Sequence, residues 1–217
     1  MPLRRPDLEA ALALPATRPR SDFDLAPEAD PGEAMTLRAA AVLCPLIERA
    51  GRLHVILTVR ARHLRHHAGQ ISFPGGKVEP DEAALDAALR EAEEEIALPA
   101  RAVEIAGRLD PYRTSTGFVV EPFVGFVDAA WRAVPDPREV DEVFECPLDF
   151  LMDPANRLRH HRPWRGTRRH YYAMPWGDYY IWGATAGMLK SLSDRLHHAG
   201  RRAPEPAPAG WAEDRPA

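Results

Sequence analysis

Three glutamates within one short run, Glu91, Glu94 and Glu95, are the side chains of this 217-residue chain best suited to chemistry. On a helix they stand at i, i+3 and i+4, on an arc about 100° wide, so their carboxylates are neighbours. Like charges placed this way destabilise an exposed helix by about 0.2–0.5 kcal/mol per pair. A hard divalent cation, Mg²⁺ or Mn²⁺, removes that repulsion, because it takes carboxylate oxygens as ligands and keeps positions open for substrate phosphates. Without a cation, the run from Glu91 to Glu95 is a solvated acidic face. Glu93 points away from the trio by about 100° or more. Arg90 is spaced to pair with Glu94, and Glu82 lies about 180° around an ideal helix from Glu91 and about 13 Å along it, so it is expected with Asp81 at the helix start.

Those carboxylates need a helix and a tight turn to position them. Residues from Asp81 to Ala97 include Ala, Leu, Glu and Arg but no Gly or Pro, which predicts a helix ended by Pro99. Leu85, Ala88, Leu89, Ala92 and Ile96 fall within about 60° of one direction and form the stripe that packs on a sheet. Before the helix, Pro74-Gly75-Gly76 marks a tight loop. Strand-like runs cover about 39–47 and 53–60, a hairpin turning at Gly51, then 103–110, 118–127 and 140–146, with a turn at 114–117. A short helix follows Pro147, a hairpin pairs 169–173 with 179–182, and a last helix covers about 184–198. Helices and strands in this order predict a mixed α/β layered domain. Residues 1–35 read as a loosely packed N-terminal extension outside the core with one short helix near Leu8–Leu14, 36–200 as the domain, and 201–217 as a disordered tail rich in proline.

Composition narrows the function. Hydrophobic residues make up 45% of the chain, enough for one sizeable core, and a formal charge of −4 argues against a general nucleic-acid binder. Its two cysteines, Cys44 and Cys146, sit in apolar runs without metal-ligand spacing, which fits a reducing cytoplasm. No apolar run approaches the roughly 20 residues of a membrane span, so no membrane partner is expected.

Gly76, five residues, Glu82, seven residues, then Arg90-Glu91-Ala92-Glu93-Glu94-Glu95-Ile96-Ala97-Leu98 resembles the Nudix box. Ala97 stands where that family normally has glycine, at a helix end that favours a left-handed residue. The resemblance implies a Nudix-type α/β/α sandwich with a mixed β-sheet and a catalytic loop-helix-loop. It also implies dependence on Mg²⁺ or Mn²⁺ and hydrolysis of a diphosphate bond in a small-molecule substrate. Glu91, Glu94 and Glu95 would bind metal, Arg90 and Glu82 would support them, and Glu91 is the first choice for the base. Leu57-Thr-Val-Arg60, Leu64-Arg65 and Gly69-Gln-Ile-Ser-Phe-Pro-Gly-Gly76 are similar to the signature of the coenzyme A pyrophosphatase subgroup, as are Glu142–Leu148 and Ile181–Thr185. That subgroup cleaves coenzyme A or its thioesters to 3′,5′-ADP and 4′-phosphopantetheine or its acyl form. A broader nucleoside-diphosphate hydrolase acting on ADP-ribose or NADH, and a non-catalytic ligand sensor, are the alternatives.

In that context Arg60 and Arg65, with Gly75 and Gly76, are the candidate phosphate-binding group. Glu139, Asp141 and Glu142 form a second acidic cluster that supplies a base or ligand, Glu142 foremost, or else a solvated strand edge. His63, His66 and His67 are read as hydrogen-bonding or surface residues, since carboxylate sites for Mg²⁺ seldom use imidazole. The arginine- and histidine-rich stretch 157–170, including Trp164 and Arg168, is read either as a receiver of a 3′-phosphate and adenine or as a solvated loop. A homodimer stays open as a partner.

Overall fold

The chain starts with helix α1 (Arg5–Leu12) and strand β1 (Arg20–Ser21), then forms a hairpin of β2 (Arg38–Arg49) and β3 (Arg52–Arg60). Its two-residue loop, Ala50-Gly51, has φ of 49° and 74°, the paired positive φ values of the tight turn that matches strand twist. Short strands β4 (Ile71–Ser72) and β5 (Gly75–Lys77) precede helix α2 (Ala84–Ile96). Next come β6 (Val103–Arg108), β7 (Tyr112–Arg113), β8 (Phe118–Val127), β9 (Val140–Pro147) and helix α3 (Leu148–Met152). The remainder is β10 (Leu158–Trp164), β11 (Thr167–Trp176), β12 (Tyr179–Trp182), helix α4 (Ala184–His198) and β13 (Ala212–Glu213). The structure, a computed structural model, describes residues 2–15, 18–164, 167–200 and 212–213.

The first nine strands form a mixed sheet in which β2 runs parallel to β8 and antiparallel to β3 and β5, while β3 also pairs antiparallel with β9. Alternate residues of the central strands enter two separate cores. Leu43, Ile47, Ile56 and Phe123 meet Ala88, Ala92 and Ile96 of α2, whereas Cys44, Leu46, Val55, Leu57 and Val124 meet α1, α3 and α4 on the other face. Because both faces are covered, these strands read in sequence as continuous apolar runs instead of alternating ones. Cys44 and Cys146 are free and buried, and burial pushes each thiol up to about 12.

Three expectations need correction. Helix α2 begins at Ala84, because Asp81 takes a left-handed φ of 65° and the backbone from Glu79 to Glu82 closes a turn. The N-terminal stretch is not outside the core: Leu3, Leu8, Ala11 and Leu12 are buried in the main apolar cluster, and β1 adds to the sheet beside β7. Leu8, Ala11 and Leu12 stand at i, i+3 and i+4, and α1 packs this stripe on α4 and β6. The 157–170 stretch is not a plain loop, since β10 and β11 pair antiparallel from Leu158–Ala173 to Trp164–Thr167. The disordered tail expected over 201–217 lies outside the described residues except for Ala212–Glu213, which pair with β10. No helix among the described residues is long and apolar enough to cross a membrane.

Leu8 is 0% exposed, so Leu8→Ala should destabilise the domain by about 2–5 kcal/mol. Chemical denaturation measures this; a loss under about 0.5 kcal/mol, the range of ordinary surface substitutions, would show that α1 contributes little to the core.

Candidate active site

Helix α2 lies against β5, and two glycines of β5 set how closely its neighbours approach it. A Cβ on Gly75, whose φ is 151°, would strike the Ala41 carbonyl of β2, and one on Gly76 would land on the Glu91 carboxylate. The space left by Gly76 holds that carboxylate beside the turn. The Gly75 N–H donates to Glu95 Oε2 at 3.3 Å, and Arg60 Nη1 approaches Glu95 Oε1 at 3.5 Å. Glu95 is only 1% exposed; burial pushes its carboxyl up to about 8, against the pull of Arg60 and the Gly75 N–H, with Glu91 and Glu139 adding like charge. Burial also raises Glu91, opposed by Arg90.

Arg90 holds the acidic residues in register. Its Nε and Nη2 donate to the two oxygens of Glu82 at 2.8 and 3.1 Å, and Nη1 donates to Glu91 Oε1 at 3.0 Å and Glu94 Oε2 at 3.2 Å. Nη2 also reaches the Lys77 carbonyl of β5 at 3.3 Å. This fork holds the Glu82 carboxyl down at about 2, with help from the Glu79 N–H. Glu82 therefore supports Arg90 and does not cap α2, whose N-cap is Ala83 without a side-chain bond.

The third carboxylate comes from a loop. The N–H groups of Val134 and Asp136 donate to the carbonyls of Ile96 and Glu95, tying the loop before β9 to the end of α2. Glu139 is thereby delivered so that oxygens of Glu91, Glu95 and Glu139 all lie within 4.8 Å of one another. Glu94 is outside this group, with its side chain 55% exposed and paired to Arg90. Glu142 is also elsewhere: it accepts from the Tyr179 hydroxyl, and Tyr179 stacks on Phe144 at 3.7 Å between ring centroids. Asp141 accepts from the Arg62 N–H at 3.0 Å.

A cavity of about 610 Å³ opens next to the turn, within the size range of small-molecule sites. Its lining includes the polar Arg60, Arg65, His66 and His67 with Gly75 and Gly76, the apolar Phe73, Phe118, Val120 and Met188, and Arg162, Arg169 and Trp182 from the second sheet and its end.

The NUDIX domain model matches residues 37–173. The chain belongs to the Nudix family. A Salmonella paratyphi B protein named an uncharacterized Nudix hydrolase NudL is 42% identical over 172 residues, covering 74% of this chain and 84% of that one. Among solved structures, a MutT/nudix family protein from Enterococcus faecalis aligns over 81% of this chain and 68% of its own, with TM-score 0.50 and 16% identity. A MutT protein from Methanosarcina mazei Go1 aligns over 77% and 95%, with TM-score 0.47 and 19% identity. The chain has the Nudix fold and is a Nudix hydrolase, an enzyme of diphosphate bonds in nucleoside diphosphate derivatives.

Nudix hydrolases generally use Mg²⁺ or Mn²⁺, and the donors here fit such an ion: three carboxylates in mutual reach, one of them buried, without a thiol or imidazole among them. Of the expected metal trio, Glu91 and Glu95 lie within mutual reach together with Glu139, and Glu94 is outside that group. Arg60, Arg65, Gly75 and Gly76 share the cavity as expected, and His63 and His67 make hydrogen bonds, to the Arg138 carbonyl at 3.1 Å and Gln70 Oε1 at 2.7 Å. In the 157–170 stretch, Arg162 and Arg169 face the cavity, whereas Arg168 stands on the opposite side of the hairpin, one place on from Arg169. Asp22, Trp182 and Met188 were missed as lining residues. Trp182 lies within a quoted signature, but Asp22 gave no signal in a segment set aside from the core.

In titrations with Mn²⁺, Glu139→Gln should weaken binding about tenfold or more and Glu94→Gln less than threefold, each tenfold being about 1.4 kcal/mol. Equal effects would mean that the helix face, not the loop, sets the site. Gly76→Ala should also weaken Mn²⁺ while leaving the melting temperature nearly unchanged, because only the flexible end of Glu91 must move; calorimetry of both quantities checks it.

Proposed function

We propose that the protein hydrolyses the diphosphate bond of coenzyme A or its thioesters, giving 3′,5′-ADP and 4′-phosphopantetheine or its acyl form. The supporting observation is where the signature stretch lies. Arg60, Arg65, Ile71, Phe73, Gly75 and Gly76 line one cavity with the apolar Phe118, Val120 and Met188, and Arg60 and Gly75 of that lining also reach Glu95 of the carboxylate cluster. A diphosphate carrying a long, partly apolar arm suits this combination better than a compact dinucleotide does.

Glu91, Glu95 and Glu139 would hold Mg²⁺ or Mn²⁺, with Arg90 orienting Glu91 through its fork on Glu82. When bound, the ion lowers the pKa of water and neutralises charge on the diphosphate. Glu91 is the carboxylate assigned to accept the proton of the attacking water, held in place by the Arg90 bond to its Oε1. Arg60 and Arg65 stand on the cavity wall where phosphate oxygens can be met by charge-assisted hydrogen bonds. The Gly75-Gly76 backbone lets the reacting group approach without a side chain in the way.

Mass spectrometry of coenzyme A incubated with the enzyme and Mg²⁺ or Mn²⁺ should find 4′-phosphopantetheine and 3′,5′-ADP. Hydrolysis of ADP-ribose or NADH at higher kcat/KM would replace this assignment with the broader one, and tight binding without turnover of any diphosphate would favour a sensor. Glu91→Gln should lower kcat on the order of 10²-fold or more, and Glu95→Gln should abolish metal-dependent turnover with the fold intact.

A further inference from the structure

Asp22 stands in the segment before residue 37, where the match to the NUDIX domain begins, yet it lines the same cavity as Arg60, Gly75 and Gly76. Its side chain is 7% exposed, and a carboxylate so enclosed needs partners to replace its hydration. Oδ2 accepts from the Ser115 N–H at 2.8 Å, the Ser115 hydroxyl at 2.9 Å and Arg169 Nη2 at 2.9 Å, and Oδ1 accepts from the Tyr112 hydroxyl at 3.0 Å. These partners come from separate places in the chain: the turn at 114–117, β11 and β7. The backbone fixes Asp22 for this task. Its N–H donates to the Arg113 carbonyl at 2.9 Å and the Arg20 N–H to the Pro111 carbonyl at 2.8 Å, which sets β1 parallel to β7. Tyr112 depends in turn on Gly187 of α4, where a Cβ would strike the phenol ring. Burial, with Asp22 beside it, pushes the Tyr112 hydroxyl well up, so it stays protonated and donates. Ser115 lies between Thr114 and Thr116, which both line the cavity and whose hydroxyl oxygens are 3.0 Å apart; Arg169 lines it too.

We propose that Asp22 is a positioning residue for substrate binding: it locks the 114–117 turn and β11 into the wall that receives the substrate, so the N-terminal segment sets substrate affinity without joining the carboxylate cluster. Among the described residues the Asp22 side chain bonds to Tyr112, Ser115 and Arg169, none of them on α2 or the loop before β9, where Glu91, Glu95 and Glu139 stand. Its loss therefore acts on binding and not on the metal or the attacking water. Asparagine has the same shape but one carbonyl oxygen and one amide donor group, so on one side it would turn an N–H toward a donor. This role holds whether or not the substrate is coenzyme A, provided that the cavity receives it.

Steady-state kinetics of the full-length protein with Mg²⁺ on coenzyme A, ADP-ribose and NADH identify the substrate turned over best, which is where failure of the coenzyme A reading registers. On that substrate Asp22→Asn should raise KM about fivefold or more with kcat within about twofold of wild type, the mark of binding lost equally from ground and transition state. Calorimetric Mn²⁺ affinity should match the wild type. An unchanged KM overturns the proposal; a role in folding alone gives that result, because loss of active protein lowers kcat and the Mn²⁺ stoichiometry together and leaves KM as it was. A weakened Mn²⁺ affinity with a collapse of kcat also overturns it, by placing Asp22 with the carboxylate cluster. Tyr112→Phe and Ser115→Ala each take one hydroxyl from the carboxylate and should raise KM by a smaller factor. Should Asp22→Asn fold too poorly to assay, these two decide, and an unchanged KM in both overturns the proposal.

Discussion

Burial of the Glu95 carboxylate between α2 and β5 is the constraint on which the rest of the site depends. An ion taken out of water costs on the order of several kcal/mol unless partners replace its hydration. The chain supplies one backbone N–H from Gly75 and a long contact to Arg60, then places Glu91 and Glu139 close by, which worsens the imbalance. A cation bound between the carboxylates would offset their mutual repulsion and replace part of the lost hydration. Gly75 lets β5 lie close against β2, and the room left by Gly76 holds the Glu91 carboxylate beside the turn.

Arg90 makes the arrangement rigid. By reaching Glu82, Glu91, Glu94 and the Lys77 carbonyl at once, it joins the loop before the helix, the helix face and β5 through one planar group. A lysine has no such fork and could not span these partners. The consequence is a division among the glutamates: Glu82 and Glu94 serve the arginine, and Glu91 and Glu95 face the turn. At the helix end, Ala97 adopts φ 55°, a conformation that costs an alanine about 1 kcal/mol relative to glycine. Bonds from its N–H to the Glu93 carbonyl and from Trp131 Nε1 to its own carbonyl, each at 3.0 Å, keep the cap in place. The departure from the family pattern therefore leaves the geometry of the helix end intact.

The cavity shows why elements far apart in sequence matter to one site. Its walls come from the loop before α2, from the N-terminal segment through Asp22, and from the β10–β12 sheet through Arg162, Arg169 and Trp182. The small second sheet docks on the main core through Tyr172, Met174 and Ile181. Stability and the shape of the cavity are thus linked, since displacing the N-terminal segment would loosen both the α1 packing and the Asp22–Arg169 pair.

The amino-acid sequence by itself determined the helix, the glycine turn and the main strands. Helical periodicity over Leu85–Ile96 and unbroken apolar runs such as Ala39–Cys44 depend on neighbours within one element. The same local rule showed Glu91 and Glu95 sharing a face. It could not show that Glu94, on that same arc, would be drawn off by Arg90, nor that Glu139 would replace it. That exchange depends on the loop before β9 being bonded to the last turn of α2, a contact between segments with no common period. The core role of α1, the place of Asp22, and the choice of Arg162 and Arg169 over Arg168 were decided only by tertiary packing, because periodicity assigns a side chain to a face but only the docking of elements decides what that face meets.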